Sequence, residues 1–272
     1  MISKLLNEKP MKLLPQYIAD YKSLFDIDEE KALEYIKTNE RFRQLTAEWY
    51  EKLNADDMDA AYRVYDDEYY FTDVWNCFVQ YSRRYLRDIS RSCLADGESF
   101  LYKTREAKIV LDVGCGIGYT TAILTQLYPY SRVYGTNLKN TKQWTFCEMM
   151  AKRYGFSMIE SAAEIGDNVD VVFASEYFEH FYDPVDHLGT IVDTVSPKYF
   201  VIGNAFNTHS IGHFIKYKAH NQIVDQADIA LIFNNSLRNM GYTQLDSELY
   251  NNKPNIWQKN VNMLFGKSYD KS

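Results

Sequence analysis

The sequence predicts an α/β fold: a mostly parallel sheet wound by alternating strands and helices from about residue 105, closed by an antiparallel pair of strands and preceded by a helical segment. Three observations predict it. The β-branched run Ile109-Val110-Leu111-Asp112-Val113 stops at three alternating glycines, Gly114, Gly116 and Gly118, after which a helical pattern begins. Strand-like and helix-like stretches then alternate to about Met240. The early part of the chain instead carries aromatics at helical spacing and no strand alternation. The division expected is a helical extension or lid over residues 1–104 and a binding domain over 105–272.

In the N-terminal segment Tyr62, Tyr65 and Tyr69 recur at helical spacing, as do Phe71, Trp75, Phe78, Tyr81 and Tyr85. Such a stripe is a core face packed on the sheet, with a few hydroxyls left for a pocket. Arg83, Arg84, Arg87 and Arg91 share one or two faces of that helix. A solvated face balanced by Asp88 is the simplest reading, and a grip on a substrate anion is the alternative.

The glycines after the first strand let the backbone turn sharply and approach a ligand closely, because a Cβ there would collide or demand a forbidden φ. The helix that follows, about Tyr119 to Tyr128, presents free N–H groups to that ligand. A second strand, Ser131 to Leu138, ends in the polar Asn137 and leads to a helix from about Thr141 to Tyr154. A third short strand, Ser157 to Glu160, runs into Ser161-Ala162-Ala163-Glu164. The fourth, Val169 to Ser175, is a nearly continuous apolar run of the kind buried on both faces of a parallel sheet. It delivers Glu176-Tyr177-Phe178-Glu179-His180 to the carboxyl end of the sheet, where open α/β sheets bind ligands. A helix near Val185 to Val192, a strand Tyr199 to Gly203 and a helix near Ala227 to Met240 follow. Strands from Tyr242 to Leu249 and Ile256 to Phe265 complete seven.

The spacing G-x-G-x-G behind Leu111-Asp112-Val113 resembles motif I of the class I S-adenosylmethionine (SAM) methyltransferases, and differs from the G-x-G-x-x-G of dinucleotide-binding folds. The resemblance covers about Ala107 to Phe265. It implies a Rossmann-like seven-stranded sheet with an antiparallel last strand, and SAM as cofactor. It also implies that Asp112, Gly114, Cys115, Gly116 and Gly118 form the cofactor loop, Asp112 supporting the methionine ammonium. Asn137 and Leu138 would meet the ribose, Asn137 standing where the family carries an acid. Ser161 and Ala162 would meet the adenine, and Ser175 and Glu176 the methionine end.

Glu176-x-x-Glu179-His180 is expected to open a helix, which would put both carboxylates and the imidazole on one side. The motif resembles that of the ubiquinone-biosynthesis O-methyltransferases and of the small-RNA 2′-O-methyltransferases, where E-x-x-E-H plus a later histidine holds a divalent ion. The metal set this implies is Glu176, Glu179, His180 and His220, holding Mg²⁺ or Mn²⁺, with His209 and His213 as rivals for the last place. Without a metal, His180 is the candidate general base with Glu179 beside it, since an imidazole titrates near neutral pH.

A net charge of -7 argues against broad affinity for nucleic acid. The four cysteines show no C-x-x-C spacing, so neither a disulfide framework nor a zinc site is expected. Ser175-Glu176-Tyr177-Phe178 stands where DNA amino-methyltransferases carry an Asn/Asp-Pro-Pro-aromatic motif. No stretch reads as a signal peptide or membrane span, so a cytoplasmic protein without a membrane partner is expected. The expected activity is SAM-dependent methylation of an oxygen or nitrogen on a small-molecule acceptor. Two alternatives are a metal-dependent RNA 2′-O-methyltransferase, with Lys216 and Lys218 near the RNA, and a non-catalytic SAM-binding scaffold.

Overall fold

The computed structural model describes residues 4–260 apart from 38, 39, 56, 92, 248 and 250–252. Its N-terminal part is helical: α1 (Lys4–Asn7), α2 (Pro10–Phe25), α3 (Glu29–Lys37), α4 (Glu40–Asn54), α5 (Met58–Tyr62), α6 (Glu68–Cys77), α7 (Arg83–Arg91) and α8 (Phe100–Lys103). Proline opens α2, where a missing N–H costs nothing. Asp67 caps α6 by accepting from the Tyr69 N–H. Between α6 and α7 the residues Phe78–Ser82 form a π turn that joins the two helices without a break.

The remainder alternates as the sequence predicts: β1 (Ile109–Val113), α9 (Tyr119–Leu127), β2 (Arg132–Thr136), α10 (Lys142–Tyr154), β3 (Ser157–Ile159), β4 (Val171–Ser175), α11 (Pro184–Val195) and β5 (Tyr199–Gly203). Then come β6 (Lys216–Ala219), β7 (Gln222–Asp225), α12 (Gln226–Asn239), β8 (Tyr242–Leu245) and β9 (Asn255–Lys259). The strand order is β3-β2-β1-β4-β5-β9-β8. The first five strands are parallel, and β9 lies antiparallel to both β5 and β8. This is the expected Rossmann-like seven-stranded sheet. The chain winds outward in both directions from β1 and β4, and the crevice at that switch point is where such sheets take ligands.

Two local expectations change, and a third cannot be followed to its end. The hairpin β6–β7 was not foreseen; its turn puts His220 and Asn221 in the left-handed region, at φ 50 and 62. Glu176 does not open a helix: its own φ is 50, and only the short 3₁₀ turn Phe178–His180 follows. The continuation of the last strand toward Phe265 lies outside the described residues.

The core runs across residue 104. Tyr17 stacks on Trp75 with centroids 4.4 Å apart, and Trp75 meets Tyr119 of α9 edge-on at 5.1 Å. Asp20 of α2 receives both nitrogens of Arg153 from α10, at 2.6 and 2.8 Å. The aromatic stripe is thus largely a core face. Arg83 departs from the solvated reading: it is buried and donates to the carbonyls of Leu5, Leu6 and Glu8, satisfying the exposed end of α1. Among the described residues no helix is long and apolar enough to cross a membrane.

Candidate active site

The glycine loop is held from beneath. Asp112, at the end of β1, is 2% exposed and accepts from the Thr121 hydroxyl of α9 at 2.6 Å. Burial pushes its carboxyl up to about 7, with the Thr121 hydrogen bond opposing. The Gly114 N–H donates to the Thr136 hydroxyl at 3.0 Å, tying the loop to β2. Gly114 and Gly116 have φ of 65 and 56, and both lie in crowded places. A Cβ on Gly114 would fall 2.1 Å from Tyr177 Cδ2, and one on Gly116 would fall 2.8 Å from Val74 Cγ1. Asn137 clamps the loop from the side, its Nδ2 donating to the Gly116 carbonyl at 2.7 Å while its Oδ1 accepts from the Leu138 N–H at 2.8 Å. The Cys147 thiol donates to the same carbonyl at 2.8 Å, and its sulfur lies 3.6 Å from Cys115 Sγ.

From this loop a cavity of about 1020 Å³ extends along the carboxyl ends of the strands. One end is lined by Asp112, Gly114, Cys115, Gly116, Asn137, Leu138 and Glu160. Gly118 caps α9 at φ 81 with its back to Met150 and Phe156, and is not part of the wall. Nor are Ser161 and Ala162: the Ser161 hydroxyl closes a capping box with Glu164. Their place is taken by Glu160, which pairs with Lys139. These residues fit SAM. Backbone without side chains faces the space at β1, an amide stands at β2 and a carboxylate at β3. Drug-sized ligands occupy pockets of about 300–1,000 Å³, so the cavity has room for the cofactor and a small second molecule.

The other end is walled by side chains from distant parts of the chain. The Glu176 N–H donates to the Gly203 carbonyl at 2.6 Å, and its Oε1 accepts from the Tyr85 hydroxyl at 2.9 Å. Ser175 meets Ser82 of the π turn, hydroxyl to hydroxyl, at 2.9 Å. His180 Nδ1 faces the Tyr65 hydroxyl at 3.2 Å, and its ring meets that of His213 edge-on at 4.9 Å. Burial, helped by His213, pushes the His180 imidazole down to about 3. His213 donates from Nδ1 to the Thr208 carbonyl at 2.9 Å and is pushed down to about 4 by burial. His187 holds the Tyr177 hydroxyl at 2.8 Å and stacks on Phe181.

Of the expected metal set, the structure brings Glu176 and His180 into one wall. Glu179 lies behind it, fully buried, accepting from the Ala205 N–H at 2.8 Å with its Oε2 facing no donor. Burial and then the Glu176 charge push its carboxyl well above the usual range. His220 sits apart in the β6–β7 turn, 3.4 Å from the Ser236 hydroxyl and outside the cavity. Among the described residues no group of three or more His, Cys, Asp or Glu is arranged to hold a metal ion. This donor set does not fit a divalent ion.

Sequence reasoning missed Asp73 and Lys253, both in the cavity wall. Asp73 carried no signal in the sequence, being one of two acids on a helix rich in aromatics. Tyr65 and Tyr85 stood in the aromatic stripe, but spacing alone did not separate them from its core members.

Residues 111–202 match the family model described as a methyltransferase domain. No protein of curated function matches the sequence. Among solved structures, a putative O-methyltransferase from Nostoc punctiforme is similar at 13% identity and a TM-score of 0.43, over 72% of this chain and 60% of that one. An O-methyltransferase family protein from Burkholderia thailandensis is similar at 15% identity and a TM-score of 0.48, over 80% of this chain and 70% of its own. The plantazolicin methyltransferase BpumL, solved with a desmethyl plantazolicin analog and S-adenosylhomocysteine (SAH), is similar at 15% identity and a TM-score of 0.39, over 61% and 62%. The chain therefore spans about 60% of the length of the Nostoc structure.

Proposed function

We propose that this chain, whose sheet order and match to a methyltransferase domain over residues 111–202 support a class I SAM-dependent methyltransferase, methylates an oxygen or nitrogen of a small-molecule acceptor. The observation that carries this reading is the cavity, which continues past the glycine loop into a chamber walled by Tyr65, Tyr85, His180 and His213. A chamber lined by aromatic rings and neutral imidazoles suits a small, partly apolar molecule. The net charge of -7 disfavours a polyanionic acceptor, and His220 standing apart from Glu176 and His180 takes one support from the RNA reading.

Bound in the cradle, SAM supplies an electrophilic methyl group on a sulfonium sulfur. Thr136 and Asn137 fix the loop that carries it, and the chamber side chains fix the nucleophile, so the protein acts chiefly by alignment. His180 is held neutral by burial, and its ring, in the chamber wall with Nδ1 turned to Tyr65, is placed to orient the acceptor's O–H or N–H. A base so weakened orients the attacking lone pair better than it stores a proton. The proton then passes to Glu176, the carboxylate on the same wall, whose affinity for it is raised by burial.

The test is calorimetric titration with SAH, followed by a mass screen of phenols, catechols and amines incubated with enzyme and SAM. SAH binding together with a product heavier by one methylene supports the reading. Absence of SAH binding overturns it, and methylation of RNA alone overturns the acceptor class.

A further inference from the structure

Among the described residues four carboxylates line the cavity: Asp73, Asp112, Glu160 and Glu176. Three are engaged. Asp112 accepts from Thr121, Glu160 pairs with Lys139, and Glu176 accepts from Tyr85. Asp73, on α6, has no hydrogen bond or ion pair with any described residue, and burial pushes its carboxyl up to about 6. A desolvated acid facing a cavity without a counter-charge is unfavourable for the free protein, and a cation brought to it removes the penalty.

Its position says which end of the cavity it serves. The next residue, Val74, packs directly over the glycine loop, with its Cγ1 only 2.8 Å from where a Cβ on Gly116 would stand. Helix α6 therefore crosses the loop and brings Asp73 to the cofactor end. SAM carries two positive centres. The sulfonium has no proton to donate, whereas the ammonium of its methionyl end offers three N–H groups and calls for an acceptor with charge. Asp112, the residue the sequence suggested for that ammonium, is turned inward to Thr121 and is nearly inaccessible.

Resting on the cofactor reading above, we propose that Asp73 binds the ammonium of the methionyl end of SAM, so that the N-terminal helices supply a cofactor ligand as well as walls of the acceptor chamber. The ligand arrives with its own charge, and α6 is held over the loop in part by that pair.

The experiment compares the full-length wild type with Asp73→Asn in calorimetric titrations with two probes, SAH and 5′-methylthioadenosine, which lacks the amino-acid portion. The result expected is SAH binding weakened tenfold or more in Asp73→Asn, methylthioadenosine binding unchanged, and a melting temperature no lower than that of the wild type. Equal SAH affinity in both proteins overturns the proposal and would send Asp73 to an amine on the acceptor. Equal weakening of both probes also overturns it, because the effect would then be a distortion of the loop. A wild type that binds neither probe fails the cofactor reading itself, which is a different result from a wild type that binds SAH and a variant that binds it equally well.

Discussion

At the cofactor end of the cavity the wall comes from short runs of neighbouring residues set on a packed glycine turn: Asp112 to Gly116, Thr136 to Leu138, and Glu160. At the acceptor end the wall is side chains gathered from the segment between α5 and α6, from α7, from the turn after β4 and from the loop after β5, and few of them are neighbours in sequence. The two ends should respond to substitution in opposite ways. A wall built on a packed glycine turn fails when a side chain is added to the turn, because there is no space to give. A wall made of side chains survives their replacement and changes what it holds.

The largest effect is expected at Gly114. With φ at 65 and a Cβ that would stand 2.1 Å from Tyr177 Cδ2, Gly114→Ala meets both strain and overlap. It should cost about 2–5 kcal/mol in denaturant unfolding and abolish SAH binding. Adding Tyr177→Ala should recover the part due to overlap, and no recovery would show that the turn alone is at fault.

Next in size is His180→Gln, the counterpart at the acceptor end. It should lower kcat by about 100-fold and leave SAH affinity within about threefold, or less than 0.7 kcal/mol. An equal loss of SAH binding would break the distinction between the two ends. The variant also carries a pH signature. The folded imidazole is pushed down to about 3, below its ordinary value near 6.5, so the unfolded chain takes up the proton first as pH falls. That contribution to stability is complete above the ordinary value and is lost progressively down to about 3. Melting curves of wild type and variant should therefore converge as the solution is acidified.

Asn137→Asp sharpens the comparison from the cofactor side. It installs the acid usual in the family, yet it removes the Nδ2 donor to the Gly116 carbonyl and sets a negative oxygen against it. SAH binding should weaken by about 1–2 kcal/mol, read by calorimetry. A gain in affinity would mean that ribose contacts outweigh the clamp. The smallest effect is expected from Ser82→Ala, which breaks the hydroxyl contact with Ser175. About 0.5–1 kcal/mol of stability should be lost, with KM for the acceptor rising more than that for SAM.

The same contrast governs what the sequence disclosed. The parallel strands and glycine loop were legible because each is local: β-branched runs bounded by turns, and glycines where φ turns positive. The pairing of β6 with β7 was hidden because Lys216-Tyr217-Lys218 reads as a charged loop until Tyr217 is seen to be buried, with its hydroxyl on the Glu179 carbonyl. The E-x-x-E-H spacing misled for a tertiary reason. Glu176 is drawn into a left-handed conformation by the bond from its N–H to Gly203 at the end of β5, so the helical register that would align the three side chains never forms. Asp73 was illegible because its significance lies in what it lacks, and an absent partner shows only in three dimensions.

The core shared across residue 104 bears on how the chamber could be reshaped. Exchanging the N-terminal helices with those of a relative would replace part of the acceptor wall, but it would also withdraw Tyr17, Phe71 and Trp75 from the face on which α9 and α10 rest, along with the Asp20 partner of Arg153. A hybrid cut at the apparent boundary would inherit a new chamber and an unfilled interior. Substitution at single positions that line the cavity and remain partly open to solvent, Tyr62 and Tyr81 among them, would reshape the chamber without that loss.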